Sequence, residues 1–165
     1  MKTEVIVSDT GPLIALGKIG LLAKLDALFV TVYVPTAVAH EALADPLKPA
    51  YAEIKKAFDA GFLQRKSFHD GKVFERLSLL LDPGEAEAIS LAKELRLPLI
   101  IDERKGRKAA DGQGIAYTGT GQILVELKKN GVITEVRPYL NSLTLSGYRL
   151  SQKLCRIILS RCGEN

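Results

Sequence analysis

A chain of 165 residues with 47% hydrophobic and 25% charged residues suits one α/β domain with a core of its own, and excludes a disordered or low-complexity chain. No apolar run reaches the roughly 18–20 residues of a membrane span, and Met1-Lys2-Thr3-Glu4 lacks the layout of a signal peptide, so a soluble cytoplasmic protein is expected. The net charge of +4 is uneven: residues 1–100 carry 12 basic and 13 acidic side chains, residues 101–165 carry 11 and 6, and a basic half of this kind can attract a polyanion.

Val5-Ile6-Val7 reads as a short buried strand ending at Ser8-Asp9-Thr10, and Pro12 opens a helical stretch with Leu13, Leu16 and Ile19 on one face. Gly20 breaks it. Leu21–Leu28 reads as a second helix and Val30–Val34, β-branched and aromatic, as a second strand ended by Pro35. Residues 36–44 return to helical composition, and Asp45-Pro46 with Pro49 marks a loop. Ala50–Ala60 is an amphipathic helix with Gly61 as its stop, and Leu63–Phe68 is a short extra strand.

Lys72–Leu80 is helical. Asp82-Pro83-Gly84-Glu85 opens the clearest helix, running to Leu95, and Pro98–Ile101 is an apolar strand met at once by Asp102-Glu103. A basic helix follows at 104–110, then a brief strand Ile115–Tyr117. Gly119-Thr120-Gly121 leads into a helix from Gln122 to Asn130, and closing helices are expected at 134–143 and 150–159. Strands alternating with helices imply a mostly parallel sheet covered on both faces. The whole of 1–165 reads as one domain with a C-terminal helical extension from about 132 to 165. Cys155 and Cys162 would stand roughly 10 Å apart along a helix, too far to bridge, which fits a reducing compartment.

Open parallel sheets bind ligands beyond the carboxyl ends of their strands. Two strands deliver acids there: Asp9 after the first, Asp102 and Glu103 after Pro98–Ile101. Glu41 and Glu85 sit on helices in otherwise apolar settings. Carboxylates brought together in this way repel, and a hard divalent cation relieves the repulsion while accepting oxygen ligands. All-carboxylate ligation points to Mg²⁺ or Mn²⁺ rather than zinc, and such an ion supports attack of water on a phosphodiester. Each acid also has a structural reading. Asp9 can cap the next helix, Asp82 and Glu85 can form a capping box, Asp102 and Glu103 can cap helix 104–110, and Glu41 can be a solvated helix residue.

Val7-Ser8-Asp9-Thr10-Gly11-Pro12-Leu13-Ile14-Ala15-Leu16 resembles the opening motif of PIN domains, the fold of VapC-type toxin ribonucleases. The segments 82–89 and 99–104 resemble the central motifs, Gly119-Thr120-Gly121 the closing one, and the tail from Arg149 to Gly163 fits a prokaryotic, VapC-related branch. The resemblance implies a three-layer α/β/α fold and cleavage of single-stranded RNA with Mg²⁺ or Mn²⁺. It implies metal-binding roles for Asp9, Glu41, Glu85 and a fourth acid. That fourth acid falls on Glu103 by an ungapped count and on Asp102 by its place after the strand, so both are carried. Thr120 matches the hydroxyl residue near the metal, and Thr10 supports Asp9. An antitoxin protein and a homodimer are the partners implied.

Arg104, Lys105, Arg107 and Lys108 follow the acid pair; phosphate contact and a plain solvated helix face are both open readings. Tyr117 is read either as a base-stacking residue or as a buried sheet tyrosine. A zinc protease is excluded, because His40-Glu41 has Ala44 where HExxH needs its second histidine. A phosphotransferase using Asp9 as nucleophile lacks its second Asp, since position 11 is Gly11. The competing class is a catalytically inactive module that keeps the fold and binds nucleic acid or protein.

Overall fold

The computed structural model describes residues 3–165; Met1 and Lys2, which open the N-terminal stretch weighed above as a signal peptide, lie outside the described residues. Among the described residues five strands form one all-parallel sheet, β1 (Thr3–Ser8), β2 (Phe29–Pro35), β3 (Leu63–Lys66), β4 (Leu99–Ile100) and β5 (Tyr117–Thr118), in the order β3-β2-β1-β4-β5. Helix α1 (Thr10–Lys18) and a 3-10 helix (Leu22–Ala27) link β1 to β2, and α2 (Thr36–Ala42) and α3 (Tyr51–Asp59) link β2 to β3. Helices α4 (Gly71–Leu77) and α5 (Pro83–Leu95) lead to β4, and α6 (Arg104–Gly112) leads to β5. Helices α7 (Thr120–Lys129), α8 (Arg137–Leu145) and α9 (Gln152–Arg161) follow.

The two-residue side-chain period of the strands builds two cores, one on each face of the sheet. Ile6, Val32, Val34, Leu63 and Ile100 pack with Leu13 and Leu16 of α1, Ile54 of α3, Leu124 of α7 and Leu140 of α8. Their neighbours Val7, Leu99 and Ile101 point the other way, onto Val73 of α4, Ile89 of α5 and Ala110 of α6. The result is the three-layer α/β/α arrangement. Each fully buried Leu or Ile contributes about 1.5–3 kcal/mol by leaving water, so the sheet is held from both sides.

Several boundaries differ from the sequence expectation. The segment after Gly20 winds as a short 3-10 helix, Leu22–Ala27, rather than an α-helix. The helix expected over 72–80 ends at Leu77, leaving Leu79 and Leu80 exposed. The last strand lies at Tyr117–Thr118, two residues later than expected, and α7 begins at Thr120 rather than Gln122. The closing helices likewise begin later. Pro138 falls in the first turn of α8, and Ser151 caps α9 by accepting a hydrogen bond from the Leu154 N–H. Helix α3 stops at Gly61, which takes φ +80°. Helix α5 ends on Arg96 at φ 55°, a left-handed position that glycine normally fills.

The C-terminal segment is tied down by Glu164. Its carboxylate accepts hydrogen bonds from the Val136 and Arg137 N–H groups at 2.7 and 3.1 Å and from Lys128 Nζ at 3.0 Å. Cys155 and Cys162 are both free thiols. Among the described residues no helix is long and apolar enough to cross a membrane.

Candidate active site

The strand order places β2 and β4 on opposite sides of β1, so the connections leave in opposite directions from β1 and open a crevice at its carboxyl end. Register then decides which residues meet there. Val7 pairs with Leu99 and Ser8 with Ile100, and β5 continues the row with Thr118 beside Ile100. One or two residues beyond these pairs stand Asp9, Asp102 and Thr120. The Asp9 N–H bonds the Ile100 carbonyl at 3.0 Å, and the Ile101 N–H bonds that of Thr118 at 2.9 Å.

Asp9 occupies the N-cap position of α1, yet its side chain makes no capping hydrogen bond, so the capping reading fails for this residue. It is only 5% exposed. Burial, opposed by the Thr10 backbone N–H and reinforced by Glu85, Asp82 and Glu41, pushes its carboxyl up to about 7. Glu85, in the first turn of α5 and 8% exposed, is also raised, first by burial and then by Asp82, Glu103 and Glu41. Thr10 carries the arrangement to α2, its hydroxyl donating to Glu41 Oε2 at 2.9 Å. Gly84 lets the start of α5 approach this pair, since a Cβ there would stand 3.2 Å from Glu41 Oε2 and 3.5 Å from Thr10 Oγ1.

Asp82 does cap α5, accepting the Glu85 N–H at 2.8 Å, so half of the expected capping box forms. Its charge nonetheless reaches Asp9 and Glu85, which makes it a member of the acidic group that sequence reading had assigned only to capping. Among the described residues none of Asp9, Glu41, Asp82, Glu85 and Glu103 takes part in an ion pair. Five carboxylates without a cationic partner are the donor set a hard divalent ion accepts. Among the described residues no group of three or more such side chains stands where it could hold a metal ion.

Asp102 and Glu103 separate in role. Asp102 accepts the Thr120 backbone N–H at 2.8 Å and the Thr120 hydroxyl at 2.6 Å. It therefore braces the start of α7, not helix α6 as the capping reading had it. Glu103 is the N-cap residue of α6 but makes no side-chain capping bond; it is exposed, and its charge acts on Glu85. Gly119 leaves room beside Asp102, because a Cβ there would lie 2.8 Å from Asp102 Oδ1 and push the Arg107 guanidinium aside.

Of the four basic residues on α6, Arg104 lines the same cleft as Asp9, Asp102 and Glu103, a space of about 560 Å³ that Lys18 and Arg149 also face. Arg107 turns inward: its Nε donates to the Ile101 carbonyl at 3.0 Å, and its guanidinium stands 3.7 Å from Asp102 and 5.3 Å from the Tyr117 ring. Lys105 and Lys108 lie on the exposed side of the helix and line neither this cleft nor its neighbour. Tyr117 is half-buried rather than buried, with Arg107 over its ring and its hydroxyl donating to Asp111 at 3.2 Å, so it matches neither sequence reading cleanly.

Sequence reading missed the segment joining α8 to α9. Ser146, Gly147, Tyr148 and Arg149 form one wall of the cleft, and Lys18 Nζ reaches the Ser146 carbonyl at 3.4 Å. Burial and the neighbouring Asp102 raise the Tyr148 phenol well above its ordinary value. No local motif marks these residues; only the return of the chain after α8 brings them to Asp102.

A search of curated proteins finds no match to this chain. A family model described as DUF3368, a PIN domain, matches residues 5–164, from the first strand through the tail that carries Tyr148 and Arg149. With nearly its whole length matched and its acids gathered at the switch point of a parallel sheet, the chain belongs to the PIN domain family, whose fold is of nuclease type.

Proposed function

We propose that this protein is a Mg²⁺- or Mn²⁺-dependent endoribonuclease that hydrolyses phosphodiester bonds of single-stranded RNA. The observation that carries the reading is Asp9: a buried carboxylate surrounded by other acids and, among the described residues, without an ion-pair partner, at the edge of a cleft that Lys18 and Arg104 also line. Ionised Asp9 is costly in that setting until a cation offsets it. Asp9 and Glu85 would hold the ion, with Glu103 as the freer of the two late acids and Glu41 and Asp82 adding negative potential. Asp102 acts through Thr120, fixing the start of α7. When bound, the ion supplies Lewis acidity and neutralises charge on the reacting phosphate. Lys18 and Arg104 draw the phosphate backbone toward the acids, whose own charge would otherwise repel it.

The reading extends to biology through the VapC resemblance alone: a toxin acting in the cytoplasm, assembled as a homodimer and restrained by an antitoxin protein. A gene for a small DNA-binding protein beside this one would support that step.

The inactive-module reading has one observation in its favour, the absence of a preformed three-acid grouping among the described residues. Calorimetric titration with Mn²⁺ and cleavage of a fluorescent single-stranded RNA, run on wild type and Asp9→Asn, decide between them. Metal uptake and cleavage by wild type, both abolished by Asp9→Asn and by a chelator, are expected. A folded wild type that takes up no Mn²⁺ and cuts no RNA establishes the inactive module.

A further inference from the structure

Beyond the acidic cleft lies a second one of about 390 Å³, on the other side of Tyr148 and Arg149. The two clefts share Asp102, Tyr148 and Arg149, so they adjoin across these three residues. Their chemistry differs. The first holds Asp9, Asp102 and Glu103 against Lys18, Arg104 and Arg149. In the second the one carboxylate is Asp102, already engaged by Thr120 and facing Arg107. Its other two guanidinium groups, Arg149 and Arg161, have no carboxylate partner among the described residues. Arg161 is positioned by a 2.9 Å hydrogen bond from its Nη1 to Gln122 Oε1.

Between these guanidinium groups the lining is apolar: Leu150, Leu154 and Ile158, with Leu154 43% exposed. Two unpaired guanidinium groups flanking an apolar wall suit a phosphate backbone with an unstacked base beside it. A duplex cannot present such a base, because its bases are stacked and paired inside the helix.

We propose that the second cleft is a subsite for the single-stranded RNA segment flanking the scissile phosphate, with Arg149 and Arg161 as its phosphate contacts and Leu150 and Leu154, seated on the buried Ile158, as its base contact. The assignment of RNA rests on the nuclease reading above, but the binding event does not require cleavage. Neither Arg149 nor Arg161 belongs to the acidic group, and both are exposed, so their replacement leaves the fold intact.

The test is fluorescence anisotropy in the Asp9→Asn background with a labelled single-stranded oligoribonucleotide and its duplex as probes, across a salt series. Two double variants are compared, R149Q/R161Q in the second cleft and K105Q/K108Q on the exposed face of α6, which change the net charge equally. The second-cleft variant should weaken single-strand binding at least tenfold and reduce the salt slope by about 1.4, the value for two lost phosphate contacts on a single strand. The α6 variant should change binding less than threefold, and duplex affinity should fall less than single-strand affinity. Equal losses from both double variants, or equal losses on both probes, would reduce the cleft to general basic charge and overturn the proposal, as would unchanged binding by R149Q/R161Q or no single-strand binding in the parent. Binding that follows the expected pattern in a protein whose wild type never cuts RNA would overturn the nuclease reading and leave the subsite standing.

Discussion

Asp102 holds Thr120 twice, through the backbone N–H at 2.8 Å and through the hydroxyl at 2.6 Å, so the acid that ends one strand serves as the cap of the helix after the next. Gly119, the N-cap residue of α7, has no side chain with which to do this itself. The bridge aligns the first turn of α7 with the end of β4 and keeps Asp102 fixed at the boundary between the two clefts.

Thr120→Val keeps the shape of this fully buried residue and removes the hydroxyl. It should lower unfolding stability by about 1–3 kcal/mol, since a hydrogen bond to a charged acceptor is lost inside the protein. It should also slow Mn²⁺-dependent cleavage by about tenfold, whereas Thr120→Ser should keep most of both. Chemical denaturation and single-turnover cleavage check this. A valine variant as stable and active as wild type would remove the bridge from the account.

Asp9→Asn should stabilise the metal-free protein while removing metal binding. The folded carboxyl titrates near 7, whereas an unfolded aspartate titrates near 4. A folded state that holds its proton more tightly loses stability as pH rises from about 4 through about 7. The asparagine variant lacks that loss, so its advantage should grow over this window to about 4 kcal/mol, the linkage value for about three pH units, and then level off. Urea melts of both proteins in chelator at pH 5 and pH 8 measure it. A variant less stable than wild type at pH 8 contradicts the strain assigned to Asp9.

Glu164 should give the opposite pH dependence. Burial works against its charge, but the bonds from Val136, Lys128 and Arg137 outweigh it and hold the carboxyl at about 2. Its contribution is therefore present above the unfolded glutamate value of about 4.3 and lost as pH falls through about 2. Glu164→Gln should cost about 1–3 kcal/mol at pH 6, where a charged acceptor is lost, and nearly nothing at pH 2. Thermal melts at the two pH values test the sign.

Arg96→Gly should stabilise the protein by about 0.5–1 kcal/mol. The residue ends α5 at φ 55°, ψ 46°, where a Cβ crowds the backbone and glycine does not. Denaturant melts at neutral pH read the change, and a destabilised variant would mean that the arginine side chain supplies more than its backbone costs.

Much of this protein is legible along the chain. Strand and helix periods place β1, β2 and the long α5, and the acids after the first and fourth strands can be picked out because parallel sheets bind at their carboxyl ends. These features depend on a few neighbouring residues and survive without knowledge of the partner elements. Arg96 escapes notice for the converse reason, since no glycine marks that helix end. What the tertiary structure alone decides is which side chains meet. Thr120 lies 18 residues beyond Asp102, and Tyr148 and Arg149 reach the same place only after two further helices. Asp82 reads locally as a cap and becomes part of an acidic pocket only because α5 starts beside β1 and α2. Charge and burial are sums over space, so strand order and register, not spacing along the chain, determine that Asp9 is buried among acids and that a basic cleft opens beside it.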